Sequence, residues 1–144
     1  MMIHTAAEGI SLARKLENES AGLYEELGRR YPQNAQAFLA FAKENKNNVS
    51  LVEGAYYGVI SDALEGGFAF NLNPQDYTPD FHVPGNASGQ EIRDQLVKME
   101  EQIIRFYNDA ASQSQFLMAD VPRTFSIIAR KRANRLSRIR DLKA

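Results

Sequence analysis

The chain has 144 residues, with 17 lysines and arginines against 18 aspartates and glutamates and a net charge of −1. Apolar residues make up 44% and charged residues 24%, as in ordinary globular proteins, and this length allows a sizeable core. We therefore expect a single domain over residues 1–144. The lack of cysteine excludes disulfides, thiolate metal sites and thiol nucleophiles.

Neither a targeting segment nor a membrane span is predicted. The initial stretch MMIHTAAEG lacks the basic region and continuous apolar run of a secretory signal. No apolar run approaches the ~20 residues that span a bilayer. The expected location is the cytoplasm, without a membrane partner.

Two helices are predicted in the first half of the chain. A capping box in Thr5–Glu8 begins a first helix that is predicted to end near Tyr31-Pro32. Asn34 can cap a second helix, which is predicted to continue to about Leu64 and to end at Gly66-Gly67.

Residues 66–87 predict a long irregular connection because they are rich in glycine and proline. We expect this connection to cross from one end of the helices to the other. No segment of the chain shows the alternation of a half-buried strand, so no strand is predicted. Four aromatic residues are expected to pin the connection to the helices: Phe68, Phe70, Tyr77 and Phe81.

Two further helices are predicted in the second half. A second capping box, Ser88–Glu91, begins a third helix to about Ser114. Asp120-Val-Pro122 predicts the start of a fourth, since proline is tolerated in a first turn. The expected fold is all-α, a four-helix up-down-down-up bundle with a long crossover between helices 2 and 3.

An acid and a tyrosine recur on the first and third predicted helices. Glu17 and Tyr24 lie on one apolar face, seven residues apart, and Glu100 and Tyr107 repeat this spacing. An ionised carboxylate inside an apolar stripe needs a partner. Two such helices predict a polar site inside a helical bundle.

The second and fourth predicted helices also place polar residues on the face that is expected to point into the bundle. Asn45 and Asn48 interrupt the apolar stripe of the second helix, and Arg132 and Arg135 interrupt that of the fourth. The two halves of the chain therefore resemble each other, and this internal repeat supports the bundle prediction.

This pattern resembles the ferritin-like superfamily, in particular its rubrerythrin-like branch, over nearly the whole chain. In that family the first and third helices each supply a Glu followed by an aromatic residue. The second and fourth helices each supply Glu-x-x-His, and the set holds two iron or manganese ions. The resemblance implies six metal-site positions, with two tyrosines beside them: Glu17, Asn45, Asn48, Glu100, Arg132 and Arg135, then Tyr24 and Tyr107.

Four of these six positions depart from the family's ligands. Asparagine is a weak neutral ligand, and the guanidinium groups of Arg132 and Arg135 have no lone pair for a metal. We expect no metal and no other cofactor. We predict instead a buried network in which Glu17 and Glu100 pair with the two arginines, with hydrogen bonds from the tyrosines.

The expected function is that of a rubrerythrin-like protein that has lost its di-iron oxidoreductase centre and acts as a binding or structural module. An alternative is an oxidoreductase acting on peroxide or oxygen, whose iron or manganese is held by Glu17 and Glu100 with non-standard ligands. Three acids near the six metal-site positions could contribute to such a site: Glu44, Glu53 and Glu101. A one-residue shift turns a helical side chain by about 100°, however, which normally directs it out of the core.

Partner predictions come from the aromatic and basic segments. The apolar excess around the crossover, together with the resemblance, leads us to expect a homodimer. Residues 123–144 carry eight lysines and arginines, and Arg130, Lys131 and Arg138 are expected to point outward. Polyanion binding is therefore a second alternative, although no nucleic-acid-binding motif is present.

His82 could bind a surface ion with neighbouring aspartates, but a plain loop histidine is the simpler interpretation.

Overall fold

A computed structural model describes residues 2–60, 68–116 and 120–142 of the chain. This part is mostly helical, which confirms the helical class predicted from the sequence. The elements, in chain order, are β1 (Ile3–Thr5), α1 (Ala6–Arg30), α2 (Ala35–Ile60), β2 (Phe68–Leu72), α3 (Pro74–Tyr77), α4 (Gly89–Gln113) and α5 (Asp120–Arg140). The third and fourth helices predicted above are therefore α4 and α5.

Both capping boxes are confirmed. The Thr5 hydroxyl accepts a hydrogen bond from the Glu8 backbone N–H at 3.1 Å, and the Glu8 carboxylate accepts one from the Thr5 N–H at 3.0 Å. Ser88 and Glu91 make the same reciprocal pair at 3.1 and 2.9 Å. These starts are predictable because a capping box depends only on residues three apart in sequence.

The connection between α1 and α2 is close to the prediction. The N–H of Tyr31 donates to the carbonyl of Leu27 and ends α1 before Pro32. A short 3-10 turn over Pro32–Asn34 follows, and α2 begins one residue after Asn34. The predicted end of this helix, at Leu64 and Gly66-Gly67, lies outside the described residues.

The expectation that the chain contains no strand is wrong. β1 pairs with β2 in an antiparallel two-stranded sheet, with Ile3 opposite Leu72 and Thr5 opposite Phe68. Strands of three and five residues are too short for alternation to be recognised, and their partners are distant in sequence. This pairing ties the start of the chain to the crossover.

The crossover is more ordered than the predicted irregular connection, because it contains β2 and the short helix α3. Phe70 and Tyr77 are buried and Phe81 packs against the core, as predicted for these aromatic residues. The Tyr77 hydroxyl also donates to the Asp109 carboxylate on α4 at 2.7 Å.

The four long helices of the described part surround a common core. α1 packs along α2, α4 packs along α5, and α2 also contacts α5. Their apolar faces are buried, yet seven polar side chains at the centre have no exposed surface: Glu17, Ser20, Asn45, Asn48, Glu100, Arg132 and Arg135. The fold therefore encloses a polar cluster.

A helix needs about 20 predominantly apolar residues to cross a bilayer. None of the described helices combines sufficient length with sufficient apolar character to do so.

Candidate functional site

The four long helices each contribute side chains to the buried cluster. Residues three or four apart share one face of a helix, so each helix can direct two of its residues to the centre. The structure brings together all six predicted site positions and both tyrosines. They come from α1 (Glu17, Tyr24), α2 (Asn45, Asn48), α4 (Glu100, Tyr107) and α5 (Arg132, Arg135).

Arg132 lies between the two buried carboxylates. Its Nη1 donates to Glu100 Oε1 at 2.6 Å, while its Nη2 is 3.0 Å from Glu17 Oε2 and its Nε donates to the same oxygen at 3.1 Å. Nη2 also donates to the Ser20 hydroxyl at 2.9 Å and to the Asn45 side-chain oxygen at 3.3 Å. The planar guanidinium thus joins α1, α2 and α4 from its own position on α5.

Arg135 joins the centre of the cluster to its edge. Its Nη1 donates to Glu100 Oε2 at 3.2 Å, and its Nη2 donates to Glu44 Oε1 at 2.6 Å. The guanidinium carbon also lies 5.4 Å from the ring centre of Tyr24 and 5.0 Å from that of Phe41, within cation–π range. Its Nε is buried and has no hydrogen-bond partner among the described residues.

Each of the two tyrosines donates a hydrogen bond to the buried carboxylate on the other acid–tyrosine helix. Tyr24 on α1 donates to Glu100 Oε2 at 2.5 Å, and Tyr107 on α4 donates to Glu17 Oε2 at 2.6 Å. Each acid–tyrosine helix therefore contacts the other in the same way. This reciprocal contact is the three-dimensional counterpart of the repeat in the sequence.

The asparagines complete the hydrogen bonding around the ion pairs. Asn48 Nδ2 donates to Glu17 Oε1 at 3.0 Å, and Asn45 Nδ2 donates to the Ser20 hydroxyl at 3.1 Å. Lys131 Nζ donates to the side-chain oxygen of Asn48 at 2.9 Å. The expectation that Lys131 points outward is wrong, because its long side chain reaches back along the helix surface to the edge of the cluster.

The electrostatic surroundings of Glu100, Tyr24 and Tyr107 each favour one protonation state. Burial raises the pKa of Glu100, but the charges of Arg132 and Arg135 and the Tyr24 hydrogen bond outweigh it, so the pKa of this carboxyl is lowered. Burial and the Glu100 charge raise the pKa of Tyr24 well above its usual range. Burial and the Glu17 charge raise the pKa of Tyr107 in the same way. The carboxylate stays ionised and the phenols stay neutral.

The arginines remain charged despite their burial. Burial alone lowers the pKa of Arg132, but the charges of Glu100 and Glu17 raise it above its usual value. The pKa of Arg135 is also raised, since the charge of Glu100 outweighs the effect of burial. The two guanidinium groups pair with the carboxylates of Glu17 and Glu100, and the formal charges of these four side chains sum to zero.

Three participants in the cluster lay outside the predicted site: Ser20, Glu44 and Lys131. Ser20 falls on the same stripe as Glu17 and Tyr24, and that position was a signal for it. Glu44 directly precedes Asn45 and is therefore turned away from the inward face of α2. Its side chain is 25% exposed, and Arg135 reaches it at the edge of the core. Helical spacing cannot reveal such a contact, because it depends on the length of the arginine side chain.

The other residues considered for a metal site do not join the cluster. Glu101 and His82 are exposed, and Glu53 is half-buried on α2. Among residues 2–60, 68–116 and 120–142, no group of three or more histidine, aspartate or glutamate side chains is placed to hold a metal ion. His82 therefore gains no complete ligand set from its neighbouring aspartates.

The residues present do not fit the pair of metal ions that the family resemblance implies. Each carboxylate oxygen of Glu17 and Glu100 already accepts at least one hydrogen bond from a described side chain. The nearest cationic groups are guanidinium groups, which offer no lone pair and would repel a divalent cation. The donor set thus provides charge compensation without a metal.

Comparisons of the chain with protein-family models, with curated proteins and with solved structures find no match. The resemblance to ferritin-like proteins therefore stays a prediction based on the residue pattern.

Proposed function

We propose that this chain is a ferritin-like bundle of the rubrerythrin-like type in which two arginines occupy the positions of the metal ligands. In this proposal the protein is a binding or structural module and has lost the oxidoreductase activity of the family. The observation that carries the proposal is the bridging contact of Arg132 with both Glu17 and Glu100.

Charge balance supports the proposal. In the family pattern, two divalent cations face four carboxylates. Here two guanidinium groups face two carboxylates, and the remaining two positions hold the neutral Asn45 and Asn48. Both arrangements sum to zero, so the exchange removes the metals without leaving a buried net charge.

The rival function is a metal-binding oxidoreductase that uses Glu17 and Glu100 with additional ligands. Arg132 and Arg135 would then have to leave the carboxylates, and their charges would need new partners inside the core. Removing one partner from a buried ion pair costs about 3–5 kcal/mol, which opposes such a rearrangement.

Restoring the family's ligands tests the proposal. The variant Asn45→Glu, Asn48→His, Arg132→Glu, Arg135→His recreates Glu-x-x-His on α2 and α5. We expect it to bind about two equivalents of Fe²⁺ or Mn²⁺ and to melt at a higher temperature with metal than without. The wild-type protein should contain less than about a tenth of an equivalent of transition metal by elemental analysis, with no metal-dependent change in Tm.

A variant with the same four introduced side chains on the exposed faces of α2 and α5 provides a matched control. Asn47→Glu and Ser50→His on α2, with Asn134→Glu and Ser137→His on α5, place identical ligand types at the same spacing outside the core. This control should show no metal-dependent stabilisation. Near-stoichiometric iron or manganese in the wild-type protein, with a peroxide-dependent spectral change, would instead support the oxidoreductase.

Two predicted interactions involve surfaces outside the buried cluster. Arg130, Arg138 and Arg140 are exposed on α5, so polyanion binding stays a prediction, and any DNA affinity should fall steeply with salt. The homodimer also stays a prediction.

A further inference from the structure

A cleft of about 490 Å³ lies on the outer side of α4, away from the buried cluster. One wall is the crossover segment 78–84, and the other is the face of α4 that carries Gln95, Lys98 and Gln102. This volume is within the range of about 300–1,000 Å³ that small-molecule sites occupy. The cleft is open to solvent on one side and accessible to a ligand.

The crossover wall is held in place by side chains from two helices. Arg30 on α1 donates to the carbonyl oxygens of Val83 at 3.0 Å and Pro84 at 2.8 Å. Gln95 on α4 donates to the carbonyl oxygen of His82 at 2.6 Å. A wall fixed in this way is largely formed before a ligand arrives, which lowers the entropy lost on binding.

Two nitrogen-bearing side chains that line this cleft are free to bind a ligand. Within the described part of the chain, neither the His82 imidazole nor the Lys98 ammonium group has a hydrogen-bond or ion-pair partner. An ammonium group can bind a carboxylate or a phosphate, and an imidazole N–H can donate to the same anion.

The rest of the lining can accommodate an organic body. Pro79 and Met99 are buried and present apolar surface to the cleft. Asp80 accepts a hydrogen bond from the His82 backbone N–H at 2.9 Å through one carboxylate oxygen. Its other oxygen can accept from a ligand hydroxyl, so the lining combines an anion-binding end with a hydroxyl-binding group.

We propose that this cleft binds a small hydroxylated organic anion. Its carboxylate or phosphate group contacts Lys98 and His82, its hydroxyl groups donate to Asp80, and its carbon skeleton lies on Pro79 and Met99. This site goes beyond the proposed function and does not depend on it. Met99 and Glu100 are adjacent on α4, but one faces the cleft and the other the buried cluster.

Titrations followed by NMR test this proposal on the full chain. The probes are ribose 5-phosphate, with a phosphate group, gluconate, with a carboxylate, and ribose, which has neither. The chain has two histidines, so the ring signals of His82 report on the cleft and those of His4 serve as an internal control. We expect a saturable shift of the His82 signals with at least one anionic probe and none with ribose.

Substitutions assign the anion contact. Lys98→Gln removes an exposed charge and should weaken binding of the anionic probe about tenfold or more. Lys43→Gln removes an exposed charge from α2 and should leave the affinity unchanged. Circular dichroism should show the same helix content for both variants.

The outcomes separate the sources of the anion and can overturn the proposal. Saturation with ribose 5-phosphate alone identifies a phosphate ligand, and saturation with gluconate alone identifies a carboxylate ligand. Absence of a saturable His82 shift with both probes at 10 mM (about the weakest affinity of interest) contradicts the proposal. An equal affinity in the Lys98→Gln variant also contradicts it.

Discussion

Arg132 shows how a single side chain can hold a polar core together. It contacts both buried carboxylates through different nitrogens and has no exposed surface. A buried guanidinium is stable only when its charge is compensated and its donors are paired. The geometry here meets both requirements, because Ser20 and Asn45 accept hydrogen bonds in addition to the carboxylates.

Replacing Arg132 with leucine should strongly destabilise the protein. Arg132→Leu leaves Glu17 and Glu100 buried with a reduced positive charge, so we expect a loss of about 3–5 kcal/mol in the free energy of unfolding. Urea denaturation monitored by circular dichroism measures this difference. The control is Arg130→Leu, an exposed position on the same helix, which should change stability by less than about 0.5 kcal/mol. Equal stability of the two variants would refute the structural role of the network.

At the level of secondary-structure elements, β2 of the crossover packs very closely against α1. A side-chain carbon added at Gly9 on α1 would lie 2.8 Å from Cδ2 of Phe70, a distance that real carbon contacts do not show. The Phe70 ring cannot easily move away, because it is buried and packs against Phe125 with 6.1 Å between ring centres. A glycine is therefore required where β2 crosses α1.

Substitution of this glycine should have the opposite effect from substitution of an exposed one. Gly9→Ala forces the Phe70 ring to shift, and we expect it to lower the free energy of unfolding by about 1–3 kcal/mol. Gly22→Ala on the same helix meets no atom within 4 Å and should raise stability by about 0.5–1 kcal/mol through improved helix propensity. Thermal melts of both variants provide the comparison. A stabilising Gly9→Ala substitution would show that β2 does not pack on α1 as described.

At the scale of the whole molecule, the buried cluster makes stability depend on pH at both ends of the scale. The lowered pKa of Glu100 means that the folded state holds its proton less tightly than the unfolded state. Its contribution is present above the unfolded value of about 4.3 and is lost as the pH falls through the lower folded value. The raised pKa values of Tyr24 and Tyr107 act in the other direction. Their contribution is present below about pH 10 and is lost as the pH rises above it.

We therefore expect the urea midpoint to be nearly constant from about pH 5 to pH 9 and to fall on either side. The double variant Tyr24→Phe, Tyr107→Phe lacks the buried phenols, so its midpoint should fall less steeply than that of the wild type between about pH 9 and pH 11. Urea unfolding across the pH range, measured for both proteins, tests this. If the urea midpoints of the two proteins fell equally steeply between about pH 9 and pH 11, these two tyrosines would not control the loss of stability.

The residues of the buried cluster were predictable because helical periodicity places them. Glu17, Tyr24, Glu100 and Tyr107 lie on apolar faces at regular spacing, and a buried charge on such a face requires a partner. Arg132 and Arg135 lie on the apolar stripe of the fourth predicted helix, so their charges were expected to pair with the buried carboxylates. The capping boxes were equally accessible, since they depend on residues three apart.

The tertiary structure decided the contacts that join segments distant in sequence. The pairing of β1 with β2 depends on two short stretches more than sixty residues apart, and neither has a recognisable pattern of its own. Glu44 and Lys131 enter the cluster through the reach of long side chains, a property that residue spacing does not express. Local sequence thus determined the four long helices and the charges that they bury. The position of the crossover, and with it the cleft at His82 and Lys98, required the packed structure.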